Sequence, residues 1–395
     1  MSRFTFIVPP LTGHINPTLG VGRLLSERGH QVTWISANDE MGGIIPDGCR
    51  LVVIPNLSSD LEKIEQDKMV QQARTEQVYG IDSLMFLYEN ALLPFNRYIL
   101  EKLPQILEDN PTDLIINDLQ VFAGAVAAIK KGIPYVTSVT TPAAIKQNDL
   151  LPQIYDWEEQ RVIAFQKEAG IEGNERLDCS KTASLVYTSE QFFGEHSLPD
   201  YFRFVGPSIN QSRDHIPFDW DKLKAMGERP KVLLSIGTTF DHQISRGKFY
   251  DKAAEALGDM DITVIAVTDP DNFTKNIPQN FIVQKRVPQL DLLPYMNVVI
   301  CHAGHNTVIE SLYNGVPLVV LPIAYDQSYV AGRVTACNAG IRLNFNRFTP
   351  PALREAVGRL LNEDIYRENA RKIGGSFQEA GGINKAVEIL ESLVV

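Results

Sequence analysis

Apolar residues fall into two recurring patterns along the chain. Short unbroken apolar runs, closed by glycine, proline or polar residues, alternate with longer stretches whose apolar positions recur every three or four residues. Phe4–Val8, Gln31–Ser36, Arg50–Ile54, Asp113–Asn117 and Ile133–Val139 read as strands. Leu19, Val21, Leu24 and Leu25 mark one face of a helix over Pro17–Arg28, opening near Asn16 and stopping at Gly29; a second helix, Ala123–Lys131, stops at Gly132. Apolar strands separated by helices predict an α/β fold with a parallel sheet covered on both faces.

Residues 58–110 are helix-like and rich in Glu, Gln and Lys, with Phe86, Tyr88, Phe95 and Tyr98 at helical spacings. Residues 140–180 are similar, with Trp157 and Phe165. Such aromatics most often pack into a core, and the other reading is an apolar pocket. A strand ends at Val205-Gly206-Pro207, and the polar stretch Ser208–Pro230, with Pro217, Gly227 and Pro230, has linker composition. From Lys231 the alternation restarts. Strands are predicted over Val232–Ile236, Ile262–Val267, Phe281–Gln284, Val298–Cys301 and Pro317–Leu321. Helices are predicted over Ser245–Leu257, Asn306–Asn314, Gln327–Asn338, Pro351–Leu361, Ile365–Phe377 and Lys385–Leu393. Two alternating halves of similar size place a ligand in the cleft between them, outside the carboxyl ends of the strands.

Composition narrows the partners. The 395 residues suit two or three domains at about 150 residues each. Forty-eight acidic against 37 basic residues give a net charge of −11, which disfavours nucleic acid because phosphate-backbone binding rests on Lys and Arg. Cys49, Cys179, Cys301 and Cys337 form no C-x-x-C pair, so neither a disulfide framework nor a zinc site is expected, and reduced thiols fit a cytoplasmic protein. No run offers the roughly 18 apolar residues of a membrane span, and the N-terminal apolar run meets Pro9-Pro10 too soon for a signal peptide.

Several motifs carry chemistry. Gly20-Val21-Gly22 begins like a dinucleotide fingerprint, but Leu25 fills the last glycine place and the run lies inside a predicted helix, so a nicotinamide or flavin cofactor is not expected. Thr12-Gly13-His14-Ile15-Asn16-Pro17 follows the first strand. An imidazole there suits proton abstraction from a hydroxyl, and Asp118, ending the run Leu114-Ile115-Ile116, is the candidate to orient it. Taken alone, His14 reads first as a loop or capping histidine and Asp118 as a helix cap. The run Cys301-His302-Ala303-Gly304-His305-Asn306-Thr307 opens a helix and offers amides and neutral donors to a phosphate, while Glu310 suits ribose hydroxyls; the ordinary alternative is a capped helix, with Asn306 and Thr307 as caps and Glu310 completing a capping box. Ser235-Ile236-Gly237-Thr238-Thr239 is a second phosphate-competent turn. Ala324-Tyr325-Asp326-Gln327 pairs a carboxylate with an amide, as sugar binding requires, or caps a helix through Asp326. Asp269-Pro270-Asp271 matches a D-x-D metal motif, but its proline and Asn272 make an ordinary turn the better reading.

Together these residues resemble the family 1 nucleotide-sugar-dependent glycosyltransferases of the GT-B superfamily, which includes plant secondary-metabolite glucosyltransferases and bacterial macrolide glycosyltransferases. The resemblance runs from Gly13, His14 and Pro17 to the closing helix. It is most specific in Val287-Pro288-Gln289, the H-x-G-x-N-[ST]-x-x-E stretch His302–Glu310, Asn314-Gly315-Val316-Pro317 and Asp326-Gln327. It implies two Rossmann-like doubly wound domains facing across a cleft: an acceptor-binding domain over 1–206, a linker over 207–230, and a nucleotide-sugar-binding domain over 231–395 whose final helix packs back on the first domain. It implies His14 as general base oriented by Asp118, and Val287 and Gln289 at the nucleobase. His302, Gly304, Asn306, Thr307, Gly237 and Thr238 would hold the diphosphate, Glu310 the ribose, and Asp326 and Gln327 the transferred sugar. Arg286 stands where many members carry a tryptophan beneath the base, and His305 where Trp or Met is common. The implied activity is inverting, metal-independent transfer, with no cofactor, from UDP-glucose or alternatively a TDP-deoxysugar. The acceptor would be a hydroxylated apolar small molecule (phenolic, flavonoid, polyketide or macrolide, sterol, carotenoid) in a pocket built by residues 58–100 and 140–166. A metal-dependent transferase or epimerase, and a non-catalytic nucleotide-sugar-binding protein, remain the rival classes.

Overall fold

A computed structural model describes residues 1–54, 81–150, 152–209, 216–237, 243–324 and 326–394. They divide into two compact units, Met1–Asn210 with Glu379–Val395, and Gln211–Gln378.

The first unit carries seven strands: β1 Arg3–Ile7, β2 Gln31–Ser36, β3 Arg50–Val53, β4 Leu114–Asp118, β5 Tyr135–Val139, β6 Ser184–Val186 and β7 Phe202–Phe204. All pair in parallel, in the order β3-β2-β1-β4-β5-β6-β7. The second unit carries β8 Lys231–Ser235, β9 Thr263–Val267, β10 Phe281–Gln284, β11 Val298–Cys301, β12 Leu318–Val320 and β13 Gly340–Arg342, also parallel, in the order β10-β9-β8-β11-β12-β13. Both orders reverse after the first strand of their unit, which is the doubly wound Rossmann arrangement. The unbroken apolar runs follow from it. Leu114–Asp118 and Val298–Cys301 are buried throughout because helices cover both faces.

Two differences from the sequence reading concern short strands and the start of a helix. β6 and β13, three residues each, are too short to stand out as apolar runs. The first helix spans Thr12–Glu27 rather than opening near Asn16, so His14 sits in its first turn. Leu11 occupies the N-cap without a side-chain cap bond, and its carbonyl accepts from the amides of His14 and Ile15. With no capping residue at that position, Pro17 looked like the start, although it lies inside the helix. The stops at Gly29 and Gly132 are as read, and both residues take the left-handed conformation, with φ of 86° and 66°. The helical stretch 81–109 contains a π-helical turn over Tyr88–Leu92. Pro94 cannot donate to the carbonyl four residues earlier, and a widened turn accommodates it.

Trp34 anchors the core of the first unit. Its ring is fully buried and stacks on Phe6 at 4.9 Å, and its Nε1–H donates to Thr18 Oγ1 at 2.9 Å. Gly22 leaves the room: a Cβ there would overlap the indole. The last helix, Gly382–Ser392, belongs to the same core through Ala386, Val387 and Leu390, and Ile383 packs over Gly20. Arg28 and His30 both bond Glu391, at 2.6 and 3.1 Å; burial pushes this carboxyl up, but these bonds outweigh it and hold it below the ordinary range. Among the described residues, no helix is long and apolar enough to cross a membrane.

Gly22→Ala is expected to destabilise the first unit by about 1–3 kcal/mol through overpacking. Leu390→Ala should lower the same unit by roughly 2–5 kcal/mol through a cavity. Urea unfolding monitored by tryptophan fluorescence measures both, and a Leu390→Ala chain that melts like the parent would show that the last helix adds nothing to this core.

Candidate active site

Three neighbouring strands deliver one cluster. Ile7 of β1 lies beside Asn117 of β4, and Asp118 lies beside Ser138 of β5. The helix after β1, the last residue of β4 and the residue after β5 therefore meet at one carboxyl edge, where the strand order reverses. His14 Nδ1 lies 3.0 Å from both carboxylate oxygens of Asp118. Asp118 is fully buried, and the His14 side chain is 12% exposed. A buried carboxylate costs several kcal/mol unless it is paired. Here the backbone amide of Gln120 donates to Oδ1 at 2.9 Å, and the Thr140 hydroxyl donates to Oδ2 at 2.8 Å. A carboxylate can only accept, so Nδ1 serves as the donor to Asp118, and in the neutral ring the basic nitrogen is then Nε2.

The loop after Asp118 is held by two buried asparagines. Asn117 Nδ2 donates to the carbonyls of Asp118 and Val121, and Gly124 leaves space for its amide. Asn96 donates to the carbonyls of Leu92 and Gln120 and accepts from the amide of Ala123, in the first turn of the helix Phe122–Lys131. Tyr187, after β6, is buried; its phenol is pushed up to about 12, first by burial and then by the Asp118 charge, so it stays neutral. Thr140, Asn96 and Asn117 were not singled out in the sequence. Asn117 alone had a signal, as a polar residue inside the apolar strand that ends in Asp118.

The second cluster occupies the equivalent reversal in the other unit, where Cys301 of β11 lies beside Ser235 of β8. His302 is buried between two glycines. A Cβ on Gly237 would come within 2.6 Å of its ring, and one on Gly304 within 2.7 Å. Ala303, between His302 and Gly304, has φ of +65°, a left-handed conformation that costs a residue with a Cβ about 1–3 kcal/mol. The helix His305–Tyr313 opens at Gly304 with no side-chain cap bond, so Asn306 and Thr307 lie in its first turn rather than at its cap. Glu310 completes no capping box: it is buried and accepts from Gln289 Nε2 at 2.7 Å. The Cys301 thiol is fully buried and pushed up to about 12 by that burial, which leaves it inert as a nucleophile.

Val287 is buried and Arg286 exposed. Gln327 spends its side-chain oxygen on the loop before it, accepting from the amides of Ile323 and Ala324 at 2.8 and 3.1 Å. Asp326 holds the N-cap position of the helix Gln327–Ala336 but makes no side-chain cap bond. Thr238 and Tyr325 lie outside the described residues, as does 58–80 of the expected acceptor pocket. Of its aromatics, Tyr88 and Phe165 are core residues, and Phe95, Tyr98 and Trp157 pack partly buried against that core. Asp269 forms a turn: it accepts from the amide of Asp271 and pairs with Lys285 at 2.5 Å. Among the described residues, no group of three or more His, Cys, Asp or Glu side chains is placed to hold a metal ion.

Residues 179–379 match the family model described as UDP-glucoronosyl and UDP-glucosyl transferase. The chain is 28% identical to the NDP-glycosyltransferase YjiC of Bacillus subtilis (strain 168), over 98% of this chain and 95% of that protein. It is 25% identical to the demethyllactenocin mycarosyltransferase of Streptomyces fradiae, over 100% of this chain and 87% of that protein. The fold matches the crystal structure of glycosyltransferase VinC in complex with dTDP, with a TM-score of 0.74 at 19% identity and 99% coverage of each chain.

Gly237→Ala should expel the His302 ring from its place between the two glycines. The ring resonances of His302 are expected to shift in NMR spectra while those of His14 stay in place; an unmoved His302 would mean that the glycine does not set the ring position.

Proposed function

Because this chain belongs to the UDP-glucoronosyl and UDP-glucosyl transferase family, it is a glycosyltransferase with a GT-B fold, and we propose that it is an inverting O-glycosyltransferase. In this reading it moves a sugar, glucose from UDP-glucose first among the candidates, to a hydroxyl of an apolar small molecule. The observation that carries the reading is the His14–Asp118 pair, with both carboxylate oxygens 3.0 Å from Nδ1 and Asp118 fully buried.

His14 Nε2 takes the proton of the acceptor hydroxyl as its oxygen attacks the anomeric carbon. The new carbon–oxygen bond forms as the bond to the diphosphate breaks, and a single displacement inverts the configuration. Asp118 stabilises the imidazolium that results. The leaving diphosphate is met by the amides opening the helix at His305 and by His302, Asn306, Thr307, Gly237 and Thr238, which stabilise developing charge without a basic surface. Glu310 binds the ribose, and Gln289, which lies by the base, donates to its carboxylate at 2.7 Å. Val287 offers its backbone to the base, and Asp326 and Gln327 bind the transferred sugar.

A second donor reading, a TDP-deoxysugar, is favoured by the likeness to a mycarosyltransferase, while the exposed Arg286, standing where the family commonly has an indole, leaves the base less tightly specified. An Arg plane can stack on a base, but differently from an indole.

Mass spectrometry of reactions with UDP- and TDP-sugars against hydroxylated apolar acceptors is expected to return a glycoside. The anomeric coupling constant should report a β-linkage from an α-donor; an α-linked product would overturn the single displacement. His14→Ala should reduce transfer by about 10²–10⁴-fold with UDP binding nearly intact. A variant transferring at the parental rate removes His14 as the base, and loss of activity in excess EDTA would favour the metal-dependent rival.

A further inference from the structure

Thr140 immediately follows β5 and is 4% exposed. Its Oγ1 lies 2.8 Å from His14 Nδ1 and 2.8 Å from Asp118 Oδ2. A hydroxyl has one proton, so it can donate to only one of the two. If it donated to Nδ1, the imidazole proton would have to sit on Nε2, and no lone pair would remain to act as a base. The rest of the cluster decides between the two. The Gln120 amide already serves Asp118 Oδ1, which leaves Oδ2 as the carboxylate oxygen open to the hydroxyl. A charged oxygen is also a stronger acceptor than a neutral ring nitrogen.

We propose that Thr140 is a positioning residue for the His14–Asp118 pair: its hydroxyl holds the Asp118 carboxylate in the rotation that presents both oxygens to Nδ1 and keeps the imidazole proton there. The proposal rests on the reading of His14 as the general base. Gln120 and Thr140 act as two fixed points, one on each oxygen. With one of them gone, the carboxylate turns about its Cβ–Cγ bond and the ring loses its fixed partner. Thr140 touches no reacting atom in this role; it acts through Asp118.

Thr140→Val keeps the shape and removes the hydroxyl, and Thr140→Ser keeps the hydroxyl. With UDP-glucose and 4-methylumbelliferone as probes, or the best pair from the acceptor panel, Thr140→Val is expected to lower kcat about 10–100-fold, the range for a hydrogen bond to a charged group. The donor KM should be unchanged, and Thr140→Ser should recover most of kcat. A second readout needs no substrate. The Nδ1 proton of His14 in ¹⁵N-labelled full-length protein should exchange slowly in the parent and in Thr140→Ser, and rapidly in Thr140→Val. Parental kcat in Thr140→Val, equal losses in both variants, or an Nδ1 proton indifferent to the hydroxyl would each overturn the role. A parent chain that glycosylates no acceptor with either donor would sink the functional reading instead, and the exchange comparison would still decide Thr140.

Discussion

Parallel strands cannot be joined by a hairpin, and both halves of this protein follow from that constraint. Each strand must be followed by a crossover, the crossovers cover both faces of the sheet, and every strand ends on the same edge. Where the order reverses, between β1 and β4 and again between β8 and β11, the connections diverge and leave the edge open. Among the described residues, two chemically distinctive clusters stand at these two points. His14, Asp118 and Thr140 occupy one, and Gly237, His302 and Gly304 the other.

The two clusters use the same geometry for different electrostatics. In the first unit a full negative charge is buried, and its cost is offset by a backbone amide, a hydroxyl and an imidazole within 3.0 Å. Asn96 and Asn117 then hold the backbone that carries the charge, so the pair is supported through two layers of hydrogen bonds. In the second unit the cluster is built around the His302 ring, and the room for it is made by glycine. This also bears on the net charge of −11. An acidic protein can bind a diphosphate when amides and neutral side chains do the binding, and that is how the proposed donor site would work.

Much of this was legible in the sequence. The alternation of apolar runs and helical periods predicted two parallel α/β halves, and the order of elements put His14 and Asp118 on one sheet edge before their distance was known. The motif from Val287 to Gln327 carried the family resemblance, and the family model spans it. Less legible were elements whose signals are short or unconventional: β6 and β13 carry no long apolar run to detect, and a helix whose N-cap residue, Leu11, makes no side-chain cap bond hides its start. Tyr88 and Phe165 were ambiguous between core and pocket, because helical spacing records that a face is apolar and not what it faces.

The sequence by itself determined the layer architecture and the chemical inventory, since hydrophobic periodicity and residue type are local properties. Tertiary structure alone decided that Thr140, 22 residues beyond Asp118, shares its carboxylate, and that the last helix completes the first core. It also decided that Glu310 bonds Gln289 instead of capping its own helix. Those pairings are set by strand register and by which buried polar group lacks a partner. Both are known only when distant segments have come together and water has been excluded from between them.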